Sequence, residues 1–189
     1  MNPSIDSIAS AINKINARNV FVLPNNSNII LAAQQASELT KKGVVLIPTK
    51  TIPQGIAACM AYSKDASVEE NEEAMKAAIK EVVSGAVTYA VRDTKIEGTE
   101  IKKGDMIGLL NNHMAADGSS IEAATSELIR KMIAEKDDSF CTVTLYYGEG
   151  QTEEDAQKIV DGLQTEYPDA EFVVLKGGQP LYYYYIAVQ

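Results

Sequence analysis

Two short loops concentrate the polar chemistry of this 189-residue chain: Pro24-Asn25-Asn26-Ser27-Asn28 and Pro48-Thr49-Lys50-Thr51-Ile52-Pro53-Gln54. Amides, hydroxyls and one ammonium at such density can hold an anion when backbone N–H groups are presented beside them, as the first turn of a helix does. Asn25, Asn26, Ser27, Asn28, Thr49, Lys50, Thr51 and Gln54 are therefore the candidate residues for a rim that binds a carboxylate, a phosphoryl oxygen or a partner protein. A plainer reading is nearly as good: Asn and Ser are ordinary helix caps, Pro is ordinary punctuation at a helix start, and Lys50 can simply be solvated.

Little else in the chain suggests chemistry. The Walker phosphate loop, the GxGxxG fingerprint, the GxSxG elbow and the HExxH zinc helix are all absent from the sequence. One histidine exists, His113, which rules out a histidine-rich metal site and leaves a Ser-His-Asp relay a single residue to be built on. Its setting, LLNNHMAADG, reads as a turn-like stretch with a solvated histidine ahead of a general base. Cys59 and Cys141 lie far apart in apolar contexts and are expected as two buried thiols of a reducing cytoplasm. The acidic groups Glu69, Glu70, Glu72, Glu73 and Glu153, Glu154, Asp155 fall at helix starts, where they suit the dipole and need no metal. No catalytic or metal-ligating residue is nominated. Asn25-Asn26-Ser27 matches a glycosylation sequon, which a chain without a signal peptide does not meet.

The elements that must position the two loops follow from apolar spacing. Ile5, Ile8, Ala9, Ile12 and Ile15 recur at helical intervals, and Val20 to Leu23 form a short apolar strand. Ile29, Ile30, Ala33, Ala36 and Leu39 predict a second helix, Gly43 stops it, and Val44 to Ile47 form a second strand. Strand, helix and strand without a hairpin turn imply a parallel pair, so both polar loops leave strand carboxyl ends on one rim. Pro53 opens a third helix, and Ser67 with Glu70 caps a fourth running to about Ser84. Beyond it the pattern turns to strands: Ala86 to Val91, a segment around Ile96, and Met106 to Leu110. Ser119 with Glu122 caps a helix to about Glu135, Phe140 to Tyr147 reads as a strand, and Thr152 opens another helix. The last two strands, Glu171 to Leu175 and Leu181 to Val188, are separated by a loop of hairpin length. Tyr182-Tyr183-Tyr184-Tyr185 in the final strand is read first as core and surface filling and second as an anchor for a partner.

The fold class is thus α/β: a parallel βαβ core covered by helices over about 1–84, a β-rich middle, and a β-α-β-β C-terminal part within 85–189, taken together as a single domain. Composition agrees, with 46% hydrophobic and 23% charged residues. Lys and Arg number 17 against 26 Asp and Glu, a net charge of −9, which repels nucleic acid and anionic membrane surfaces. No run of 18 apolar residues occurs, and the start carries no export signal, so membrane insertion is not expected and the expected location is cytoplasmic.

The segments NVFVLPNNSNIILAAQQA, VVLIPTKTIPQGIAACMAY and GGQPLYYYYIAVQ resemble the C-terminal domain of the bacterial fatty acid kinase A subunit, a protein type also described as dihydroxyacetone-kinase-like or Dak-phosphatase-like. GDMIGL and the stretch from YYGEGQTEEDAQ to YPDAEFVVLKGGQP extend the resemblance over nearly the whole chain. It implies a DegV-type fold and a fragment of a longer multidomain kinase, with Met1 either an added start or a residue of that longer chain. The full-length kinase would carry an ATP- and Mg-binding N-terminal domain and a middle domain with a catalytic cysteine and histidines. It would phosphorylate the carboxylate of a fatty acid carried by a separate DegV-type fatty-acid-binding protein, for phospholipid metabolism. No position here matches the acidic ATP- and Mg-binding motif, so no cofactor and no catalytic activity are expected of this chain alone. The role implied is docking of the acyl-binding partner, alongside the N-terminal and middle domains. The alternatives are a small-molecule carboxylate- or phosphate-binding domain, or a homo-oligomerisation module in which the Tyr-rich strand pairs or packs against another copy.

Overall fold

A computed structural model describes residues 2–96, 99–136 and 140–189; the reading of Met1 lies outside the described residues. The chain forms two compact units, Met1–Glu81 and Val82–Gln189.

The first unit is built as its apolar spacing dictates. Helix α1 (Ile5–Lys14) is capped by the Ser4 hydroxyl and buries Ala9 and Ile12. Strand β1 (Asn19–Val22), helix α2 (Ser27–Glu38) and strand β2 (Gly43–Leu46) form the expected βαβ unit, and the two strands pair in parallel from Asn19 opposite Gly43 to Val22 opposite Leu46. Helices α3 (Ile52–Ala61) and α4 (Val68–Glu81) follow and pack on each other. Buried Asn71 of α4 holds the intervening turn: its Oδ1 accepts from Ser63 N at 2.7 Å, and its Nδ2 donates to the carbonyls of Ser63 and Ser67 at 2.8 and 3.0 Å. The Ser67–Glu70 capping box is present in both directions, at 2.8 and 3.1 Å. Those Ser67 contacts, the backbone one first, lower the Glu70 carboxyl below the usual carboxylate value.

Helix α4 ends at Glu81, three residues before the expected Ser84, and β3 (Val83–Tyr89) begins almost at once. Gly85 falls inside this strand. A Cβ there would lie 2.4 Å from Met132 Sδ, so the position belongs to a strand pressed against a helix and not to a helix end.

The second unit contains the short strands β4 (Thr94–Ile96) and β5 (Thr99–Ile101), which pair with each other, and a six-stranded sheet. The sheet comprises β3, β6 (Met106–Leu110), β7 (His113–Gly118), β8 (Thr142–Tyr147), β9 (Glu171–Lys176) and β10 (Tyr184–Val188), in the order β7-β6-β3-β10-β8-β9. Helices α5 (Ile121–Lys136) and α6 (Glu153–Gln164) pack on it and touch each other, with Leu128, Ile129, Met132, Leu145, Leu163 and Ile186 in one continuous core.

Several expectations are corrected here. The last two strands make no hairpin: β9 pairs in parallel with β8, while β10 lies antiparallel between β3 and β8. With both edges of β10 already bonded, the Tyr-rich strand cannot pair with another copy. His113 stands in strand β7, because Asn111 and Asn112, at φ +49° and +69°, form the two-residue turn of a β6–β7 hairpin. The cap of α5 is Ser120, whose Oγ accepts from Ala123 N at 3.1 Å, and not Ser119. Cys59 and Cys141 form no disulfide with each other, and Cys141 is buried as expected but Cys59 is exposed. The tyrosines act as filling: Tyr184 is fully buried with its hydroxyl donating to Gln151 Oε1 at 3.2 Å, and Tyr182 stacks on Tyr185 with ring centroids 4.9 Å apart. Burial pushes the Tyr184 and Tyr185 phenols up to about 12.

Candidate functional site

The two polar loops meet at the carboxyl ends of β1 and β2. Asn25 adopts φ +56°, a left-handed conformation that Asn tolerates better than most residues, and this aims its backbone N–H across the rim. That N–H donates to Oγ1 of the fully buried Thr49 at 3.0 Å, joining the first loop to the second. Gly55 completes the junction. A Cβ at that position would come within 2.2 Å of Asn25 Oδ1, so only glycine lets the first turns of α3 pass beneath the Asn25 amide.

Most of the remaining rim residues cap their own helices. Asn26 Oδ1 accepts from Asn28 N at 2.9 Å and opens α2 at Ser27. Thr51 Oγ1 accepts from Gln54 N at 3.3 Å and its carbonyl from Gly55 N at 3.1 Å, while Pro53 in the same turn has no N–H to offer. Gln54 reaches back, its Oε1 accepting from Lys50 N at 2.8 Å and its Nε2 donating to the Ile79 carbonyl of α4 at 3.3 Å. The structure therefore brings Asn25, Thr49, Lys50, Thr51 and Gln54 into one linked cluster and leaves Ser27 and Asn28 exposed at the start of α2. The amides of Asn28, Lys50 and Gln54, which an anion could otherwise use, are taken by these contacts.

One polar atom breaks the pattern. Asn25 Oδ1 is buried and accepts no hydrogen bond among the described residues, a state that costs about 1–3 kcal/mol in an isolated chain. Beside it runs an apolar groove of about 370 Å³ lined by Leu23, Asn25, Ile52, Ile56, Cys59 and Met60. Helix α3 buries one side, Pro53, Gly55, Ala57 and Ala58, and turns a second apolar stripe outward: Ile52, Ile56, Cys59 and Met60, at helical spacing, with Met60 77% exposed. Sequence spacing alone does not single out this stripe, although the run GIAACMA, apolar on all sides of a surface helix, carries the signal. Among the described residues no group of His, Cys, Asp and Glu is placed to hold a metal, and no helix is long and apolar enough to cross a membrane.

Over residues 1–189 the sequence matches the family of FakA-like C-terminal domains, the C-terminal part of fatty acid kinase A-like proteins. The chain belongs to that family. Protein YloV of Bacillus subtilis is 42% identical over 189 residues, covering 100% of this chain and 34% of the relative. An uncharacterised Staphylococcus aureus (strain USA300) protein is 40% identical over 191 residues with the same coverage. The chain thus spans about a third of the length of these relatives of the family.

The fold of this FakA-like domain is that of the DegV proteins. A Corynebacterium glutamicum DegV family protein superposes with a TM-score of 0.71 at 13% identity, over 99% of this chain and 82% of that one. The Streptococcus pneumoniae fatty acid kinase B3 protein, solved loaded with linoleic acid, gives 0.68 at 12% identity, over 99% and 76%.

Proposed function

We propose that this domain docks a DegV-type fatty-acid-binding protein, so that an ATP- and Mg-dependent, dihydroxyacetone-kinase-like domain elsewhere in a longer chain phosphorylates the bound fatty acid on its carboxylate. The family supports the setting, and the share of the relatives lying outside this chain leaves room for the ATP site. The S. pneumoniae neighbour, a fatty acid kinase B3 protein loaded with linoleic acid, supplies the kind of partner.

The observation that carries the docking role is the outward stripe of α3. Apolar Ile52, Ile56 and Met60 border a groove whose one buried polar group, Asn25 Oδ1, lacks a donor. A protein partner would cover the exposed apolar stripe. A small anion would find Asn28 N and Gln54 N already capped and apolar side chains beside them, which favours a protein over a phosphate or carboxylate.

Titration calorimetry with a fatty-acid-loaded DegV-type protein tests this. Met60→Asp is expected to weaken binding by at least about tenfold, since it places a charge in a desolvated contact. Lys50→Ala should matter less, and Leu175→Asp on β9 should leave affinity unchanged. Wild-type affinity in Met60→Asp, or no binding by the wild type, removes the reading.

A further inference from the structure

The six-stranded sheet ends in two edges, β7 and β9, and they are built differently. An edge strand presents a row of unpaired N–H and C=O groups onto which another strand can add, and sheets usually blunt it with a bulge, a charge or a proline. β7 is blunted. Its pairing with β6 shifts register between Gly108 and Leu109, whose partners are Ala116 and Met114, so Ala115 is the extra residue of a bulge. Lys131 Nζ donates to the Ala115 carbonyl at 2.6 Å, and Asp117 adds an exposed carboxylate.

β9 has none of these devices along its length. It pairs with β8 in unbroken register from Glu171 to Lys176, contains no proline, and carries charge only at those two ends. Glu171 N donates to the Cys141 carbonyl and Gly177 N to the Tyr147 carbonyl, both at 2.9 Å, so the odd-numbered residues bond to β8. The N–H and C=O groups of Phe172, Val174 and Lys176 therefore point away from the sheet, and they have no partner among the described residues. The side chains alternate as well: Phe172 and Val174 pack on the core, while Leu175, on the opposite face, is 46% exposed.

The strand that fits this edge is its own copy. The outward residues Phe172, Val174 and Lys176 are symmetric about Val174, so a second β9 laid antiparallel on a two-fold axis there sets Phe172 opposite Lys176 and Val174 opposite Val174. Each outward donor then meets an outward acceptor. In the same register Leu175 of one copy covers Val173 of the other. Charge agrees with this direction of pairing: Glu171 comes one position from Lys176 of the other copy, within the range at which exposed charges still attract, whereas parallel pairing would gather like charges at each end. We propose that β9 is a self-association edge at which two copies of this chain pair antiparallel about Val174 and join their sheets into one.

Sedimentation equilibrium of the 189-residue chain at concentrations up to about 1 mM detects the dimer, and residue-resolved hydrogen exchange locates it. Amides of Phe172, Val174 and Lys176 should gain protection as concentration rises, while those of Val173 and Leu175, already bonded to β8, stay constant and report an intact strand. Leu175→Lys makes the chain less negative yet sets an ammonium against Val173, so it should weaken the dimer roughly tenfold over the two symmetric contacts. Lys176→Glu should weaken it about threefold, and adding Glu171→Lys, which reverses both ends, should restore it. A monomer at every concentration, protection that does not alternate along β9, wild-type association by Leu175→Lys, or a double reversal no better than the single overturns the proposal. Residue 175 lies outside the rim, so partner docking is expected to survive these substitutions and the two readings fail separately.

Discussion

The two units solve the same problem with very different resources. The unit Val82–Gln189 packs two helices on six strands around a core that includes the fully buried Leu128, Met132, Leu145, Ile186 and Tyr184. The unit Met1–Glu81 has two four-residue strands and a small buried cluster of Ile47, Ala58 and Met75, with Phe21, Leu23, Val45 and Ile79 half-buried around it and mostly small side chains such as Ala9, Ala33 and Ala36 buried elsewhere. Its order depends on polar joints: the Thr49–Asn25 bond, the Gln54 bridge to α4 and the four hydrogen bonds to and from the Asn71 side chain that hold the α3–α4 turn. A unit with a thin core and specified loops is suited to presenting a surface; one with a deep core is suited to keeping its shape.

The contrast breaks most visibly under truncation. Leu128→Ala should cost about 3 kcal/mol in denaturant unfolding, the usual loss for a fully buried leucine. Met75→Ala should cost about 2 kcal/mol, with accelerated hydrogen exchange confined to amides of residues 1–81. If both substitutions release protection across both units together, the units form one cooperative body and the comparison fails.

Gly55→Ala sharpens the same contrast at the rim. The added methyl collides with the Asn25 amide, so about 1 kcal/mol should be lost, along with partner binding out of proportion to that loss. Thr49→Val beside it leaves the Asn25 N–H without its acceptor and should cost about 1–2 kcal/mol.

Alkaline titration separates the units without mutation. Tyr184 and Tyr185, both of the sheet unit, are held up to about 12 mainly by burial, so the folded state prefers their protonated form. The stability they contribute is complete below about 10, the unfolded value, and is lost as pH rises toward 12. Phenolate absorbance should therefore show a delayed fraction that merges with the rest on unfolding; uniform ionisation near the unfolded value would contradict the packing of β10.

The smallest effect lies on the acid side. Asp155 is lowered chiefly by the Thr152 hydroxyl in the capping box of α6, then by the Thr152 backbone. Its contribution is present above the ordinary carboxylate value and fades as pH falls through the lowered one. Thr152→Ala should shrink the stability difference between neutral and acid solution, by an amount visible only in a difference experiment.

How much of this was legible in the sequence depended on how local the determinants were. The βαβ unit, the Ser67 and Thr152 caps, and the meeting of the two polar loops follow from contiguous spacing, and they appear where expected. Strand order in the larger sheet did not follow, because a short loop such as 177–183 permits a hairpin without requiring one. What decides the matter is that Tyr184–Val188 finds β3 and β8 on either side, about a hundred and about forty residues upstream. The Asn111-Asn112 turn was readable in principle, since paired left-handed residues flanked by strands are a hairpin signature. The outward stripe of α3 escapes the sequence for another reason: in an apolar helix, periodicity cannot say which of two apolar faces stays uncovered.

The place of β10 in the sheet also shapes biosynthesis. Every strand it joins precedes it in the chain, so while the polypeptide leaves the ribosome the sheet exists only as two separate pieces, β7-β6-β3 and β8-β9, each with a bare edge. The emergence of Tyr184–Val188 welds them, filling both edges in one step. Until then the nascent unit displays two complementary open edges, the state in which a chaperone or a neighbouring nascent chain would engage it.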